Sequence, residues 1–366
     1  KNNPSLKVAN LYNKKSSNNH RRLSLREIVK FDPDLFTSFF PIILTTPNAA
    51  STLFNGYNKF FDIVMFDEAS QLKLEDNLPA LLKGKQIVIA GDEHQMPPST
   101  YFAKMLDGEF EEEDEEEDEI ERIRNTIEDS LLDCESLLEF ATELGFDKRY
   151  LDFHYRSRHP YLIDFSNHAF YNQRLKPLPK SYDYIPIEYI DVDGTYYGNT
   201  NESEADMVLT IIEDNLTKNE DGKYPSLGVA TFNVSQRNLI LRKINDRRKH
   251  FQFKDFNDKM IELEEDGFFV KNLENIQGDE RDIIIISTTY GINPDGDFHQ
   301  RFGSLNQKKG YKLLNVIVTR AKYKIYVCSS IPQERFLNYK DHLVTEQANN
   351  RKGVLYAYLT YAKAVS

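Results

Sequence analysis

The chain has 366 residues, of which 40 % are hydrophobic and 12 % aromatic; that is enough for about two domains and too apolar for a disordered chain. No apolar run approaches the ~20 residues that span a bilayer as a helix, and two cysteines, Cys134 and Cys328, cannot form a disulfide framework, so a helical membrane protein is excluded and a reducing cytoplasm is expected. The net charge of −12 is local: ten of the eleven residues from Glu109 to Glu119 are acidic, and without them 48 acids face 46 bases, so the acidity does not exclude nucleic acid as a partner.

Taken in chain order, a polar stretch (Asn13–Arg22) is followed by short apolar runs at Ile42–Thr46, Asp62–Asp67 and Gln86–Gly91. Their length and continuity predict strands buried on both faces of a parallel sheet. The acidic tract, residues 109–121, reads as a surface insertion. Further strands are expected at Ile187–Val192, Leu227–Phe232, Phe268–Lys271, Asp282–Ser287 and Lys324–Ser329. Ser203 to Asp206 reads as a capping box for a helix carrying Val208, Leu209, Ile212 and Leu216. Leu314, Ile317, Val318 and Ala321 share one face of another helix. Strands alternating with helices on either side of the insertion predict an α/β fold of two lobes that meet near residue 150.

Two loops carry the sharpest chemistry. Asp67 and Glu68 end an apolar run, where an aspartate can hold Mg²⁺ and a glutamate can deprotonate the water that attacks a γ-phosphate. Some twenty residues on, Ala90-Gly-Asp-Glu-His-Gln-Met-Pro-Pro98 pairs a turn glycine with Gln95, an amide able to sense phosphate and water together. Arg156 and Arg320 lie in the second half of the chain, and a guanidinium grips phosphate oxygens without ever deprotonating. Gly278 would let the backbone approach phosphate, and Glu280 could accept from ribose hydroxyls. For a nucleic-acid track, Thr45, Thr46 and Asn48 can contact backbone phosphates, and Thr231, Phe232 and Asn233 combine a stacking ring with small polar groups. Basic clusters at Arg242–His250 and Lys308–Lys312 read as solvated surface, or as added electrostatics for such a track. None of these groups reads base identity.

In order along the chain, these segments resemble the motifs of superfamily 1 helicases. Thr45-Thr-Pro-Asn48 resembles motif Ic, Asp67-Glu-Ala-Ser70 motif II and Gly91-Asp-Glu-His-Gln-Met-Pro97 motif III. His154-Tyr-Arg-Ser-Arg-His-Pro160 is similar to the segment whose first arginine, here Arg156, reaches the γ-phosphate; Asn275-Ile-Gln-Gly-Asp-Glu-Arg-Asp282 resembles motif V, and Leu314 to Lys322 resembles motif VI with Arg320 as arginine finger. The match is best to the branch of the RNA-surveillance helicases, among large bacterial helicase-like proteins with an appended endonuclease-like domain.

The resemblance implies two RecA-like lobes, the first incomplete at its N-terminus. It places that lobe at 1–150, a second at 151–340 and a helical tail at 341–366. It implies ATP and Mg²⁺ (on Asp67) as cofactors, Gln277, Gly278 and Glu280 at the nucleotide, single-stranded DNA or RNA as partner, no membrane, and a fused nuclease domain in the parent. The implied function is an ATP-dependent helicase or translocase that couples hydrolysis between lobes to movement. A degenerate helicase fold that only binds nucleic acid or protein is the alternative. No G-x-x-x-x-G-K-[ST] occurs in the chain. The P-loop is therefore expected before Lys1, and the chain alone should turn over little ATP.

Overall fold

The computed structural model describes residues 24–98, 134, 136–179, 184–276, 278–307, 309–336 and 351–366. The acidic tract, the polar stretch 13–22, Gln277 and Lys308 lie outside the described residues. The chain divides into two compact units, Lys1–Glu93 with Pro97–Lys148, and His94–Met96 with Arg149–Ser366.

Among the described residues, the first unit begins with three short helices, α1 (Leu25–Phe31), α2 (Pro33–Phe39) and α3 (Pro47–Leu53). Ser24 and Glu27 form a reciprocal capping box on α1, and Asp32 caps α2, whose first residue is proline. Strand β1 (Phe61–Phe66) pairs in parallel with β2 (Gly84–Ile89), and α4 (Leu74–Leu81) and α5 (Leu137–Glu143) are its other described helices. Phe66, Ala69, Ala80 and Leu137 form its small core, with Val64, Ile87 and Ile89 against it.

Two expectations fail in this unit. Ile42–Thr46 is not a strand: it is extended chain leading into α3, where Thr46 is the N-cap and Pro47 the first helical residue. The Thr-Pro pair starts a helix there instead of continuing an extended run. Nor is β1 buried on both faces. Val64 and Phe66 turn inward, while Ile63 is 56 % and Met65 67 % exposed. Alternation along a strand sends every second residue outward, and among the described residues no helix layer covers that face.

The second unit is built on a five-stranded, wholly parallel sheet. Its strands are β5 (Ile187–Asp191), β8 (Leu227–Thr231), β9 (Phe269–Asn272), β10 (Arg281–Gly291) and β11 (Ala321–Ser330), in spatial order β5-β11-β10-β8-β9. A short pair, β3 (Phe153–His154) with β4 (Lys176–Pro177), and a hairpin, β6 (Tyr196–Tyr197) with β7 (Thr200–Asn201), flank it. Helices α7 (Glu202–Thr210), α8 (Val234–Lys249) and α9 (Lys254–Glu265) bury Val208, Ile240 and Met260 against Val229, Ile285 and Tyr326. By parity Ile284, Ile286, Ile325 and Val327 face the other way, and they too are almost wholly buried. Both faces of β10 and β11 are thus covered, as an α/β fold with continuous apolar strands requires. Helices α6 (Tyr161–Ala169), α10 (Tyr311–Val318) and α11 (Arg351–Val365) add a further buried group, with the Phe165 and Tyr358 rings 5.2 Å apart. The α/β fold with mostly parallel sheets stands.

Two local readings are corrected here. The cap of α7 is Asn201, whose side chain accepts from the Glu204 N–H, rather than Ser203. Helix α10 ends at Val318, and Ala321 opens β11, because the backbone N–H of Arg281 takes the Arg320 carbonyl and starts the sheet pairing. The C-terminal helix α11 packs into the unit, with Leu355, Tyr356, Tyr358 and Leu359 buried.

Candidate nucleotide site

In the first unit the chemistry gathers at the carboxyl ends of β1 and β2. The Ala90 N–H donates to the Phe66 carbonyl at 2.8 Å, and the Ala69 N–H to the Ala90 carbonyl at 2.9 Å. These two bonds latch the motif II and motif III turns together. A Cβ on Gly91 would lie 3.1 Å from the Ser70 nitrogen and 3.2 Å from that of Ala69, so a side chain there would crowd the approach of the two turns. Between them, Glu68 is held at φ +52°, a left-handed conformation costly for a non-glycine residue. Its N–H donates to Asp67 Oδ1 at 3.0 Å, and Gln71 Nε2 donates to Glu68 Oε2 at 3.1 Å. Both carboxylates are exposed. An open aspartate at a strand end fits a hard cation such as Mg²⁺ in the chemistry of its donors.

The tip of the motif III loop, His94–Met96, belongs to the second unit. Its anchor is α10: Asn315 Nδ2 donates to the His94 carbonyl at 2.8 Å and to the Tyr171 hydroxyl at 2.9 Å. The His94 ring packs edge-on to Tyr171, with centroids 5.2 Å apart. Gln95 is half-buried beside it.

In the second unit the candidate groups converge at the amino ends of β10 and β11. The Arg158 N–H donates to the Lys322 carbonyl at 2.8 Å, and the Arg281 N–H to the Arg320 carbonyl at 3.2 Å; these bonds bring the three motifs to one edge. Arg156 Nε donates to Glu280 Oε2 at 2.6 Å, and Lys322 Nζ lies 3.0 Å from Glu280 Oε1. Gly278 adopts φ +85° with open space around it, so its glycine is required by the backbone rather than by crowding. Arg320 is buried, with Nε donating to the Val316 carbonyl at 2.9 Å.

His154 Nε2 accepts the Ser157 N–H at 3.3 Å and lies 2.9 Å from the Ser157 hydroxyl. A backbone N–H only donates, so this nitrogen carries no proton. Burial, and then the charge of Arg156, push its pKa down to about 4, so the ring is neutral.

The proposed track residues divide. Thr45, Thr46 and Asn48 are exposed at the start of α3. Thr231 and Phe232 are not available: Thr231 is fully buried, with its hydroxyl donating to the Asn233 carbonyl, and Phe232 is 4 % exposed. Asn233 accepts from the Gln236 N–H as the cap of α8. The stacking surface expected of Phe232 is spent on core packing against Tyr290. The basic run on α8 is largely neutralised: Lys243 pairs with Glu202 and Asp206, Arg247 with Glu213, Arg248 with Glu264 and Lys249 with Asp246.

Sequence reasoning passed over three groups here. They are Asn315, Lys322 and Tyr155, the last 70 % exposed immediately before Arg156. Lys322 and Asn315 sit within the motif VI segment, so their signal was proximity; only the fold shows whom they touch.

The AAA domain family matches residues 134–331, and a second AAA domain description matches residues 5–103. An uncharacterized ATP-dependent helicase of Mycoplasma genitalium is 32 % identical over 336 residues, 91 % of this chain and 28 % of that protein. One of Methanocaldococcus jannaschii is 26 % identical, covering 78 % of this chain and 38 % of that protein. A regulator of nonsense transcripts 1 homolog of Arabidopsis thaliana is 27 % identical, covering 80 % of this chain and 22 % of that protein. The chain therefore spans well under half the length of these relatives. With motifs II, III, V and VI in order and the AAA domain matched over more than half of its length, the chain belongs to the superfamily 1 helicase cores, in the branch of the RNA-surveillance helicases.

Proposed function

We propose that the parent protein is an ATP-dependent helicase or translocase that moves along single-stranded nucleic acid in the cytoplasm. One observation carries this reading: the acidic turn Asp67–Glu68 is latched to the motif III turn at Gly91, while Arg156 and Glu280 meet at one edge of the second unit beside the start of the arginine-bearing motif VI strand. On this reading Glu68 is the general base for the attacking water, and Gln95 senses the terminal phosphate. Arg156 and Arg320 stabilise the charge that develops on it. Asp67 would hold Mg²⁺, which when bound neutralises phosphate charge. Gly278 and Glu280 serve the nucleotide, as proposed for motif V, with Gln277 beside them in sequence. Thr45, Thr46 and Asn48 supply phosphate contacts that position a strand without reading its bases. Either DNA or RNA satisfies those contacts.

The test is nucleic-acid-stimulated ATP hydrolysis by the full-length protein. Glu68→Gln should lower the rate by ~10²-fold or more while single-strand binding persists. Stimulated hydrolysis at the wild-type rate in that variant would overturn the assignment.

A further inference from the structure

Glu280 stands between two cations. Oε2 accepts from Arg156 Nε at 2.6 Å, and Oε1 lies 3.0 Å from Lys322 Nζ. The three side chains are 30 %, 39 % and 34 % exposed for Arg156, Glu280 and Lys322, so water and ligands reach all of them. Burial pushes the Glu280 acidity the wrong way for a charge, yet the bonds from Lys322 and Arg156 outweigh it and hold the carboxyl below its usual range. Glu280 is ionised at neutral pH, and both its oxygens are engaged.

We propose that Glu280 is the resting counter-ion of Arg156, which the terminal phosphate of a nucleoside triphosphate must displace, and that Lys322 is the positioning residue that keeps Glu280 in place. The proposal rests on the reading of Arg156 as a γ-phosphate ligand. A diphosphate lacks the displacing group and leaves the pair closed. A triphosphate exchanges one anion for another on the same guanidinium. The released carboxylate keeps Lys322, so no bare charge is left behind, which is the arrangement that makes the exchange cheap. The pair then acts on specificity: it lowers the preference for triphosphate over diphosphate by the strength of one partly exposed ion pair, about two- to five-fold.

The experiment measures the Kd of the full-length protein for ADP and for a non-hydrolysable ATP analogue. Their ratio cancels any ribose contact, since both ligands carry the same sugar. Glu280→Gln should raise the ratio Kd(ADP)/Kd(analogue) by about two- to five-fold. Lys322→Met should raise it less, and Lys322→Arg should keep the wild-type value. Arg156→Ala should lower the ratio, and adding Glu280→Gln to it should change nothing further. A ratio unmoved by Glu280→Gln but lowered by Arg156→Ala overturns the counter-ion role and leaves the γ-phosphate reading standing. A ratio indifferent to Arg156→Ala overturns both. A rise with Glu280→Gln but none with Lys322→Met removes Lys322 from the device.

Discussion

The side-chain amide of Asn315, fully buried, donates to the backbone carbonyl of His94 at 2.8 Å, joining motif VI to the tip of motif III. The same nitrogen serves the Tyr171 hydroxyl at 2.9 Å. Asn315→Leu keeps the branched shape and removes the buried amide that donates to the His94 carbonyl and the Tyr171 hydroxyl. The second unit should lose about 1–3 kcal/mol, visible as a lowered denaturation midpoint in urea. An unchanged midpoint would mean that water replaces the amide there.

Gly91→Ala tests the latch between the two turns of the first unit. Its methyl would meet backbone nitrogens of Ala69 and Ser70, at 3.2 and 3.1 Å, and Leu138 Cδ2 at 3.1 Å. Backbone cannot swing aside as a flexible side chain can. The Asp67–Glu68 turn should shift, costing about 1–3 kcal/mol and most of the stimulated ATPase. Full activity with an unaltered melting curve would show the two turns to be independent.

At Glu68 stability and activity should move in opposite directions. Its φ of +52° costs about 1–2 kcal/mol for an L-residue, partly offset by the extra unfolded-state freedom that glycine brings. Glu68→Gly should therefore raise stability by roughly 0.5 kcal/mol and abolish hydrolysis. A lower melting temperature would mean that the Gln71 bond to Glu68 outweighs the backbone strain.

Two buried groups set opposite pH slopes. Glu204, fully buried, accepts from the Ser287 and Thr288 hydroxyls and from the Thr289 and Ser330 N–H groups. Burial dominates over these bonds and lifts its pKa to about 7 from 4.5. The folded state then holds a proton that the unfolded state has lost, so this contribution is complete below pH 4.5 and is lost as pH rises through about 7. His154 works the other way: with a folded pKa of about 4 against 6.5, it costs stability as pH falls from 6.5 toward 4. Between pH 4.5 and 6.5 the two slopes oppose each other and largely cancel. In urea denaturation at pH 5, 6, 7 and 8, Glu204→Gln should leave stability rising from pH 5 to 6, and His154→Gln should leave it falling from pH 5 to 7.

What was legible in the sequence was chemistry fixed by residue type. Asp67, Glu68, Gly91, Arg156 and Glu280 stood out because phosphate chemistry draws on few side chains, and β10 because Ile283 to Ile286 can only be interior. The misses have physical causes. Phe232 looked like a stacking ring, but a strand end beside Tyr290 buries it. The basic run on α8 looked open because its acidic partners, Glu202, Asp206, Glu213 and Glu264, lie on other elements. The rule that α/β ligands sit at carboxyl ends suits Asp67, yet Glu280 and Lys322 stand at amino ends of their strands, which no local pattern encodes.

The strand order of the second unit has a consequence for its synthesis. β5 touches the sheet only through β11, where Ile187 pairs with Ile325, and the Tyr189 N–H finally meets the Ser366 hydroxyl. A ribosome releases β5 long before its partner exists. That edge, with Ile187 destined for full burial, must wait unpaired through some 130 residues of translation, roughly ten seconds or more at typical elongation rates. Premature termination anywhere before β11 would strand it as an open sheet edge, so truncated nascent chains should be chaperone clients or aggregate rather than accumulate as a smaller soluble domain.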